Sequence, residues 1–326
     1  MRVWLVAAYE MVIVAGECSP LPIVIVIVVA IVVAGLDKAY ITEDTIMQIN
    51  VKAGVEDLPD QGGEVYATGK NGLGQLGDGT QSDRNSPVRV MAGHNVAQAA
   101  AGQYHTVFVT SGGEVYATGN NWEGELGDGT RTTRNSPVRV MAGHDVAQAA
   151  AGFWHTVFVT SGGEVYATGN NGIGQLGDGT RTTWYSPVRV MAGHDVAQAA
   201  AGSWHTVFVT SGGEVYATGQ NGLGQLGDGT QSDRNSPVRV MAGHDVAQAA
   251  AGYSHTVFVT SGGEVYTTGY NGHGELGDGT QSDRNSPVRV MAGHDVAQAA
   301  AGYSHTVFVT SGAENNHIQH ATSKHR

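Results

Sequence analysis

The chain has 326 residues, 48 glycines, 14% charged residues and a net charge of −12. This length is ample for a buried core, and low charge with many glycines favours tightly turned β-structure over disorder. Because the chain has no stripe of lysine and arginine and its only cysteine is Cys18, the composition argues against nucleic-acid binding, an intramolecular disulfide and a cysteine-based zinc site.

Residues 1–61 are predicted to form an N-terminal hydrophobic segment and a linker. Within them, residues 21–36 are uncharged and dominated by isoleucine and valine. As a helix this run would span about 24 Å, which is short of the roughly 30 Å hydrocarbon core of a bilayer. The run is compatible with a signal peptide, a membrane anchor, an apolar β-rich segment or a start codon placed too far upstream. We expect an exported or membrane-anchored protein if the run is a real signal or anchor, and a cytoplasmic protein otherwise.

Residues 62–311 consist of five copies of a 50-residue unit, without insertion or deletion. Each copy begins with Gly-Gly-Glu-Val-Tyr, at Gly62, Gly112, Gly162, Gly212 and Gly262. A fixed period of this size indicates an array of identical structural units. Residues that recur in all five copies are therefore expected to build the unit rather than to form a chemical site.

Each copy contains four strand candidates, which we call A, B, C and D. In one copy, strand A at 145–151 has small side chains, and strand B at 155–160 is β-branched and aromatic. Strand C at 163–168 and strand D at 186–191 alternate polar and apolar residues. Ser161-Gly-Gly163 predicts a tight B–C hairpin, and a long Gly/Asn/Asp loop joins C to D. Four antiparallel strands per copy predict a β-propeller blade, with A near the central axis and the proline-led D on the outer rim.

The phase of the repeat predicts how the array ends. The first copy starts at strand C, and the last copy stops after strand B, so the chain has half a blade at each end of four complete blades. These halves could pair into a fifth blade and close the ring by a two-plus-two clasp. We therefore predict an all-β fold, a β-propeller of four-stranded antiparallel blades over 62–311, followed by a disordered tail at 312–326.

The repeated residues resemble the regulator of chromosome condensation repeat. The resemblance rests on four segments: 171–180 (NGIGQLGDGT), 186–190 (SPVRV), 201–209 (AGSWHTVFV) and 212–216 (GGEVY). All five copies carry them, and the Asp-Gly-Thr loop is similar to that of bacterial and archaeal members. The resemblance implies a β-propeller with blades of A-B-C-D order. The best-known members have seven blades, so five copies imply either a five-bladed ring or an arc whose remaining blades are missing or supplied by a second chain.

The family's known activities give three precedents. The namesake is a guanine nucleotide exchange factor for a small GTPase and binds chromatin, but its β-wedge insertion has no counterpart in copies of equal length. The plant ultraviolet-B photoreceptor needs clustered tryptophans and Arg/Asp dimer pairs, whereas the tryptophans here are fewer and placed differently. A bacterial secreted inhibitor of β-lactamase binds through aromatic loops on one propeller face, which is the only mode with a counterpart here.

We therefore predict a non-enzymatic protein-interaction scaffold that binds a protein partner of unknown identity through loops on one propeller face. The alternative is a guanine nucleotide exchange factor-like regulator of a small GTPase. A recently duplicated array with no settled partner is a third interpretation. An oligomer is expected if the ring is incomplete.

The recurring histidines and glycines are expected to be structural. His105 and its copies open strand B and should hydrogen-bond between strands, as the resemblance implies. A metal ring made of His94 and its copies is disfavoured, because blade spacing would keep these side chains apart. The glycines at 72–77 fit the spacing of a dinucleotide-binding motif, but a turn rather than a helix follows them.

The recurring acidic residues have structural explanations as well. Asp78 and its copies should cap their own turn, since the spacing does not fit a calcium-binding loop. Glu64 and Arg89 should pair weakly across strands C and D. We therefore predict no catalytic residues, no metal site and no cofactor.

The copies differ mainly after strand C, in the C–D loop and between strands A and B. Large aromatic residues gather at these places in the middle copies, and our hypothesis is that they form one partner-binding patch. The candidates are Trp122, Trp184, Tyr185, Trp154, Trp204 and Tyr270. For the aromatics between A and B, the favoured alternative is that they fill gaps between blades. Trp122 and Trp184, predicted to lie in loops, are the stronger candidates.

Overall fold

The computed structural model describes residues 63–311. All regular structure in this range is β, in twenty strands. The strands are β1 Val65–Gly69, β2 Arg84–Val90, β3 Val96–Ala101, β4 His105–Thr110, β5 Val115–Gly119, β6 Arg134–Val140, β7 Val146–Ala151, β8 His155–Thr160, β9 Val165–Gly169, β10 Trp184–Val190, β11 Val196–Ala201, β12 His205–Thr210, β13 Val215–Gly219, β14 Arg234–Val240, β15 Val246–Ala251, β16 His255–Thr260, β17 Val265–Gly269, β18 Arg284–Val290, β19 Val296–Ala301 and β20 Thr306–Thr310.

Four complete blades confirm the predicted unit. They are the antiparallel sheets β3–β6, β7–β10, β11–β14 and β15–β18, which we number blades 1 to 4. Within each, strands A to D lie side by side in chain order. The predicted Gly-Gly hairpin is also confirmed, because Gly163 takes a φ of 75° that an L side chain rarely adopts.

The half-blades at the two ends do not join. Strand β1 pairs with β2, and β19 pairs with β20, as two separate two-stranded sheets. The predicted two-plus-two clasp is therefore not formed within residues 63–311, where β1 has no strand B beside it and β20 has no strand C; we call these two open sides the free edges. Each half-blade instead packs on the complete blade beside it: Val65 and Val90 cluster with Phe108 of blade 1, and Phe308 packs against valines of blade 4.

One phenylalanine of strand B packs at each junction between neighbouring blades. Phe158 of strand B in blade 2 is fully buried in a cluster with Val107, Val109 and Leu126 of blade 1. The same position repeats at the following junctions, at Phe208, Phe258 and Phe308. Since strand B alternates, its valines face the next blade while its phenylalanine faces the previous one. Each blade thus completes the core of its neighbour.

Glutamines connect the inner strands from blade to blade. The side chain of Gln98 donates to the backbone oxygen of Ala149 at 3.1 Å and accepts from the Ala149 N–H at 2.9 Å. The pattern recurs in the pairs Gln148–Ala199, Gln198–Ala249 and Gln248–Ala299. These bonds place the small-residue strand A innermost, as its sequence predicted.

Buried histidines form a third link between blades. Nε2 of His105 lies 2.8 Å from Oγ1 of Thr156 in blade 2, and that hydroxyl donates to the backbone oxygen of Glu125 at 2.6 Å. Because the hydroxyl proton is used in this way, His105 must be the donor through Nε2. The other junctions repeat the contact, in His155–Thr206, His205–Thr256 and His255–Thr306. The structural role expected for these histidines is confirmed.

The predictions for residues 1–61, for the hydrophobic run at 21–36 and for the tail at 312–326 lie outside the described residues. Within the described part of the chain, no helix is long and apolar enough to cross a membrane.

Candidate partner-binding face

The A–B turns and the C–D loops lie at the same end of every blade. The backbone N–H of Asn120, which opens the C–D loop of blade 1, donates to the oxygen of Tyr104 in the A–B turn at 2.8 Å. Asn170 and Tyr270 make the same bond to Trp154 and Ser254. We call this end of the blades the loop face. All places where the copies differ most are therefore brought to one surface.

Six half-buried aromatic rings meet at the inner part of the loop face. They come from the A–B turns of five consecutive copies: Tyr104, Phe153, Trp154, Trp204, Tyr253 and Tyr303. Phe153 lies at their centre, with ring centroids 6.0 Å from Tyr104, 5.9 Å from Trp204 and 6.3 Å from Tyr253. Because Tyr253 belongs to the blade two positions further on, these rings meet across the axis of the array. We call this group the central aromatic cluster.

The central cluster contains two of the six predicted site residues and four rings outside that set. Trp154 packs on Tyr104 with ring centroids 5.4 Å apart, and Trp204 stacks on Phe153. Both tryptophans contact rings of neighbouring blades and keep part of their surface exposed. The rings missing from the predicted site are Tyr104, Phe153, Tyr253 and Tyr303. The available signal was their position in the repeat, because Tyr104 aligns with Trp154 and the other three occupy the preceding position.

A second aromatic group lies further out, between blades 1 and 2. Trp122, in the C–D loop of blade 1, is 53% exposed, and Tyr185 at the start of strand D in blade 2 is 37% exposed. Arg131 joins them: its Nε donates to the backbone oxygen of Trp122 at 2.7 Å, and its guanidinium lies 5.4 Å from the centre of the Tyr185 ring. We call these three residues the rim patch. The absence of a side chain at Gly124 makes room for the Tyr185 ring, since a Cβ there would lie 2.5 Å from it.

Trp184 is not in a loop, as the sequence suggested, but is the first residue of β10. The strand starts early because Trp184 pairs with Gly169 ahead of an irregularity in the β9–β10 register. Its Nε1 donates to Oδ2 of Asp178 at 2.7 Å. The other copies have an arginine here that pairs with the corresponding aspartate, in Arg84–Asp78, Arg134–Asp128, Arg234–Asp228 and Arg284–Asp278. Blade 2 thus exchanges a charged side chain for a 38% exposed indole.

Tyr270 belongs to neither group. Its ring lies edge-on to His273 at 6.0 Å, within the C–D loop of blade 4. The six predicted site residues therefore lie in three parts of the loop face. Trp154 and Trp204 are in the central cluster, and Tyr270 is in the C–D loop of blade 4. Trp122 and Tyr185 are in the rim patch, and Trp184 precedes Tyr185 on β10.

Repeated polar bonds hold the C–D loops in shape. In blade 1, Asn121 Nδ2 and the backbone N–H of Thr130 both donate to Oδ1 of Asp128 at 2.9 Å. This confirms that the aspartate caps its own turn. At Asp178, desolvation by burial acts to raise the pKa, but hydrogen bonds from Thr180, Trp184 and Asn171 outweigh it and the pKa is lowered. The loops are therefore rigid supports for the variable rings.

The remaining predicted structural contacts are also present. Arg89 pairs with Glu64 at 2.7 Å, and both side chains are about half exposed, so the ion pair stabilises the sheet only weakly. His144 does not join other histidines but packs on the Tyr166 ring of the next blade, with centroids 4.5 Å apart. Within residues 63–311, no group of three His, Cys, Asp or Glu side chains could hold a metal ion.

Glu125 is a fully buried carboxyl beneath the loop face that sequence reasoning missed. Asn120 Nδ2 donates to its Oε1 at 2.6 Å, and the backbone N–H of Glu123 donates to its Oε2 at 2.9 Å. Desolvation by burial outweighs these bonds and raises the pKa of Glu125 to about 7. The signal in the sequence was a glutamate at a position where three copies have glutamine, such as Gln175; the fifth copy also has a glutamate, Glu275.

Replacing Glu125 with glutamine is expected to stabilise the protein above pH 7. The folded pKa lies above the unfolded value of 4.5, so the stability that this carboxyl contributes at low pH is lost as the pH rises from 4.5 through 7. A pKa shift of this size means that the ionised Glu125 carboxylate lowers the free energy of unfolding by about 3 kcal/mol at pH 8. Glutamine also offers a donor to the buried Oδ1 of Asn120, which has no partner among the described residues.

Blade 2 shows the arrangement that this variant should adopt, with Nε2 of Gln175 donating to Oδ1 of Asn170 at 2.8 Å. Urea unfolding at pH 8 should give a higher free energy of unfolding for Glu125→Gln than for the parent chain. The reverse change in blade 2, Gln175→Glu, should lower it. Equal stability of parent and Glu125→Gln at pH 8 would contradict the assignment of a strained carboxylate.

The described residues define an all-β array of four-stranded propeller blades whose variable residues are collected on one face. The family model of the RCC1-like domain matches residues 39–308, and the chain belongs to this family.

Solved structures of similar fold include human WBSCR16, at 26% identity and a TM-score of 0.69, which covers 78% of this chain and 68% of that one. Prp20p from Saccharomyces cerevisiae is 23% identical with a TM-score of 0.67, covering 78% of this chain and 66% of Prp20p. A structure of yeast RCC1 (Prp20) bound to Kap60 matches at 21% identity and a TM-score of 0.66, covering 77% of this chain and 63% of that one. The chain thus spans about two thirds of the length of these proteins. No curated protein matches it.

Proposed function

We propose that this protein is a non-enzymatic interaction module that binds a protein partner through its loop face. The observation that carries the proposal is the location of the differences between copies. Substitutions that depart from the repeat place aromatic rings in the central cluster and the rim patch, while the residues that build the blades stay the same. Aromatic side chains are preferred anchors in protein interfaces, because they bury a large area with few rotatable bonds.

The structural neighbours support a partner of this class. The structures of Prp20p concern its binding to Gsp1p and histones and its complex with Kap60, all of which are proteins. Identities of 21–23% support a shared fold and not a shared partner. We therefore carry over the kind of partner and leave its identity to experiment.

The positions of the titratable groups support an interaction protein over an enzyme. His155 and Asp178, whose pKa values are both lowered, are engaged in a bond between blades and in bonds within a loop, respectively. A catalytic acid or base needs a substrate within hydrogen-bond reach. The buried imidazole of His155 is instead enclosed by the next blade.

Trp122→Ala is expected to weaken partner binding at least tenfold and to leave the melting temperature nearly unchanged. Its side chain is 53% exposed, so truncation removes little core packing, whereas loss of an anchoring tryptophan at an interface costs about 2 kcal/mol or more. Partners captured by the immobilised full chain would be identified by mass spectrometry, and their affinity for parent and variant measured by calorimetry.

Arg139→Ala is the matched control, because Arg139 has a similarly exposed side chain on the outer strand β6, paired with Glu114. It should bind as the parent does. If both variants bind like the parent, the loop face is not the binding surface. If the chain accelerates nucleotide release from a small GTPase, the exchange-factor alternative replaces the proposal.

A further inference from the structure

The free edges of β1 and β20 are complementary to each other. Within residues 63–311, strand β20 is a strand B without its strand C, and β1 is a strand C without its strand B. In the four complete blades these strands pair in one register, as in Phe108↔Tyr116 and Val109↔Val115 of blade 1. The residues of β20 and β1 are the same as those of β4 and β5 at the paired positions.

Side chains that are buried in the complete blades are uncovered at the free edges. Val307 and Val309 of β20 are 49% and 52% exposed, whereas Val107 and Val109 at the same positions are 0% and 2% exposed. These valines face the side on which the next blade would lie. Unpaired strand edges with exposed apolar residues are the usual templates for pairing with another chain.

The C–D loop of blade 4 provides a second, independent sign of a missing neighbour. At Gly74 and Gly224, the backbone of Asn135 or Asn285 in the following blade approaches within 2.5 Å of where a Cβ would stand. At Gly274, the described residues leave the same space open. The residue of the repeat that would fill it is Asn85, at the start of β2.

We propose that β20 of one chain pairs with β1 of a second copy, so that the two half-blades form one complete blade shared between chains. The expected register is Val307 with Ala67, Phe308 with Tyr66 and Val309 with Val65. Val307 and Val309 would then pack on Phe108 of the second copy, as valines do on phenylalanine at each junction within the chain.

A second copy is the occupant that fits, because it presents both the pairing strand and the outer strand that the loop of blade 4 lacks. Within the chain, each half-blade is packed on its neighbouring blade, and β1 and β20 stay apart in separate sheets. The contact uses different surfaces on the two partners, so a pair of chains still has one unused β1 and one unused β20, through which association can continue head to tail. The pairing strands β1 and β20 contain no residue of the central aromatic cluster or the rim patch, so the proposal does not depend on the function proposed for the loop face.

The hydrogen-bond pattern identifies a substitution that blocks β1 alone. In an antiparallel pair, residues alternate between exchanging both backbone bonds and exchanging none. The bonds Thr110 N–H to Glu114 and Asn120 N–H to Tyr104 bracket strands B and C of blade 1, which makes Phe108↔Tyr116 a bonded pair. The N–H of Tyr66 therefore points to the free edge. Tyr66→Pro removes that donor without breaking a bond to β2, and Tyr66→Phe keeps it as the control.

The test is the association state of the full chain and of two edge variants in sedimentation velocity. Val309→Lys blocks the β20 side by placing a charge where the shared blade would be closed, and Val309→Ile is its control. The parent and both controls should form species larger than 33.8 kDa in proportion to concentration. Tyr66→Pro and Val309→Lys should each stay at the mass of one chain, with association weakened at least tenfold.

Mixing the two blocked variants provides the decisive result. Tyr66→Pro retains a usable β20, and Val309→Lys retains a usable β1, so an equimolar mixture should form a dimer of twice 33.8 kDa and stop there. A parent chain that remains at one chain mass at all concentrations would overturn the proposal in favour of closure within the chain. A mixture that stays monomeric, or association that persists in both blocked variants, would also overturn it. Circular dichroism and melting curves establish that each variant is folded.

Discussion

Lowering the pH from 7 to 4 is expected to unfold the blade array. Four histidines at the blade junctions are buried, and desolvation lowers the pKa of His105 and His255 to about 4 and of His155 and His205 to about 3. In the unfolded chain these groups take up protons near the ordinary value of 6.5. Acid therefore favours the unfolded state.

The geometry of the junction explains why the folded array resists protonation. Because His105 donates through Nε2 to Thr156, the neutral ring leaves Nδ1 unprotonated. Nδ1 is buried without a hydrogen-bond partner among the described residues, and the backbone of Gly102 lies directly against the ring. A proton on Nδ1 would be a buried positive charge with no acceptor, which is strongly unfavourable.

The sign and size of the effect follow from proton linkage. The folded pKa values lie below the unfolded ones, so the stability is fully present above pH 6.5 and is lost as the pH falls towards 4 and 3. If the unfolded chain binds four more protons than the folded chain, the free energy of unfolding changes by about 5 kcal/mol per pH unit. Glu125, with its pKa raised to about 7, acts in the opposite direction and offsets about one proton. The expected net slope between pH 6 and 5 is about 4 kcal/mol per pH unit.

Urea unfolding at pH 7, 6 and 5 measures this slope directly. His155→Gln keeps an N–H donor for Thr206 but removes one titrating group, and should reduce the slope by about 1.4 kcal/mol per pH unit. Thr206→Val is the control, because it removes the hydroxyl partner and leaves the imidazole: stability should fall at every pH with the slope retained. A free energy of unfolding that is flat between pH 7 and 5 would contradict the account.

Much of the fold was predictable because the period makes local signals repeat. Gly163 in its hairpin, the pairing of Glu64 with Arg89 and the small-residue strand A all depend on residues close in sequence or one strand apart. The histidines of strand B were assigned their structural role from the resemblance. These features recur in each copy with the same neighbours, and the structure confirms them.

The features that the sequence did not predict depend on how blades are placed relative to one another. The clasp forms only if the rotations between successive blades add up to a full turn. The sequence of a single copy does not indicate that total. Tyr104 and Tyr253 meet Phe153 only because their turns surround a common axis. Trp184 was expected in a loop because its strand begins beyond a register irregularity, which the alternation of apolar residues does not reveal.

Phe158→Ala is expected to lower the free energy of unfolding by about 3–5 kcal/mol. Phe158 is fully buried at the junction of blades 1 and 2, where it contacts valines of strand B and Leu126 of blade 1. Truncation would leave a cavity between two sheets whose strands are held in place by other bonds, so little relaxation is available to fill it. Urea unfolding at pH 7 measures the loss.

Phe308→Ala is the matched comparison, since residues 306–310 repeat the sequence of residues 156–160. Phe308 packs on blade 4 but is only half-buried, because the described part of the chain places no strand C beside β20. The same truncation should therefore cost less there, when both variants carry Tyr66→Pro and are measured as separate chains. Equal losses of unfolding free energy would mean that the adjacent strand C adds nothing and that the contact with the preceding blade accounts for the whole effect. Since the two segments are identical in sequence, a difference in their losses measures the surroundings alone, and thus what a completed neighbouring strand adds to each blade.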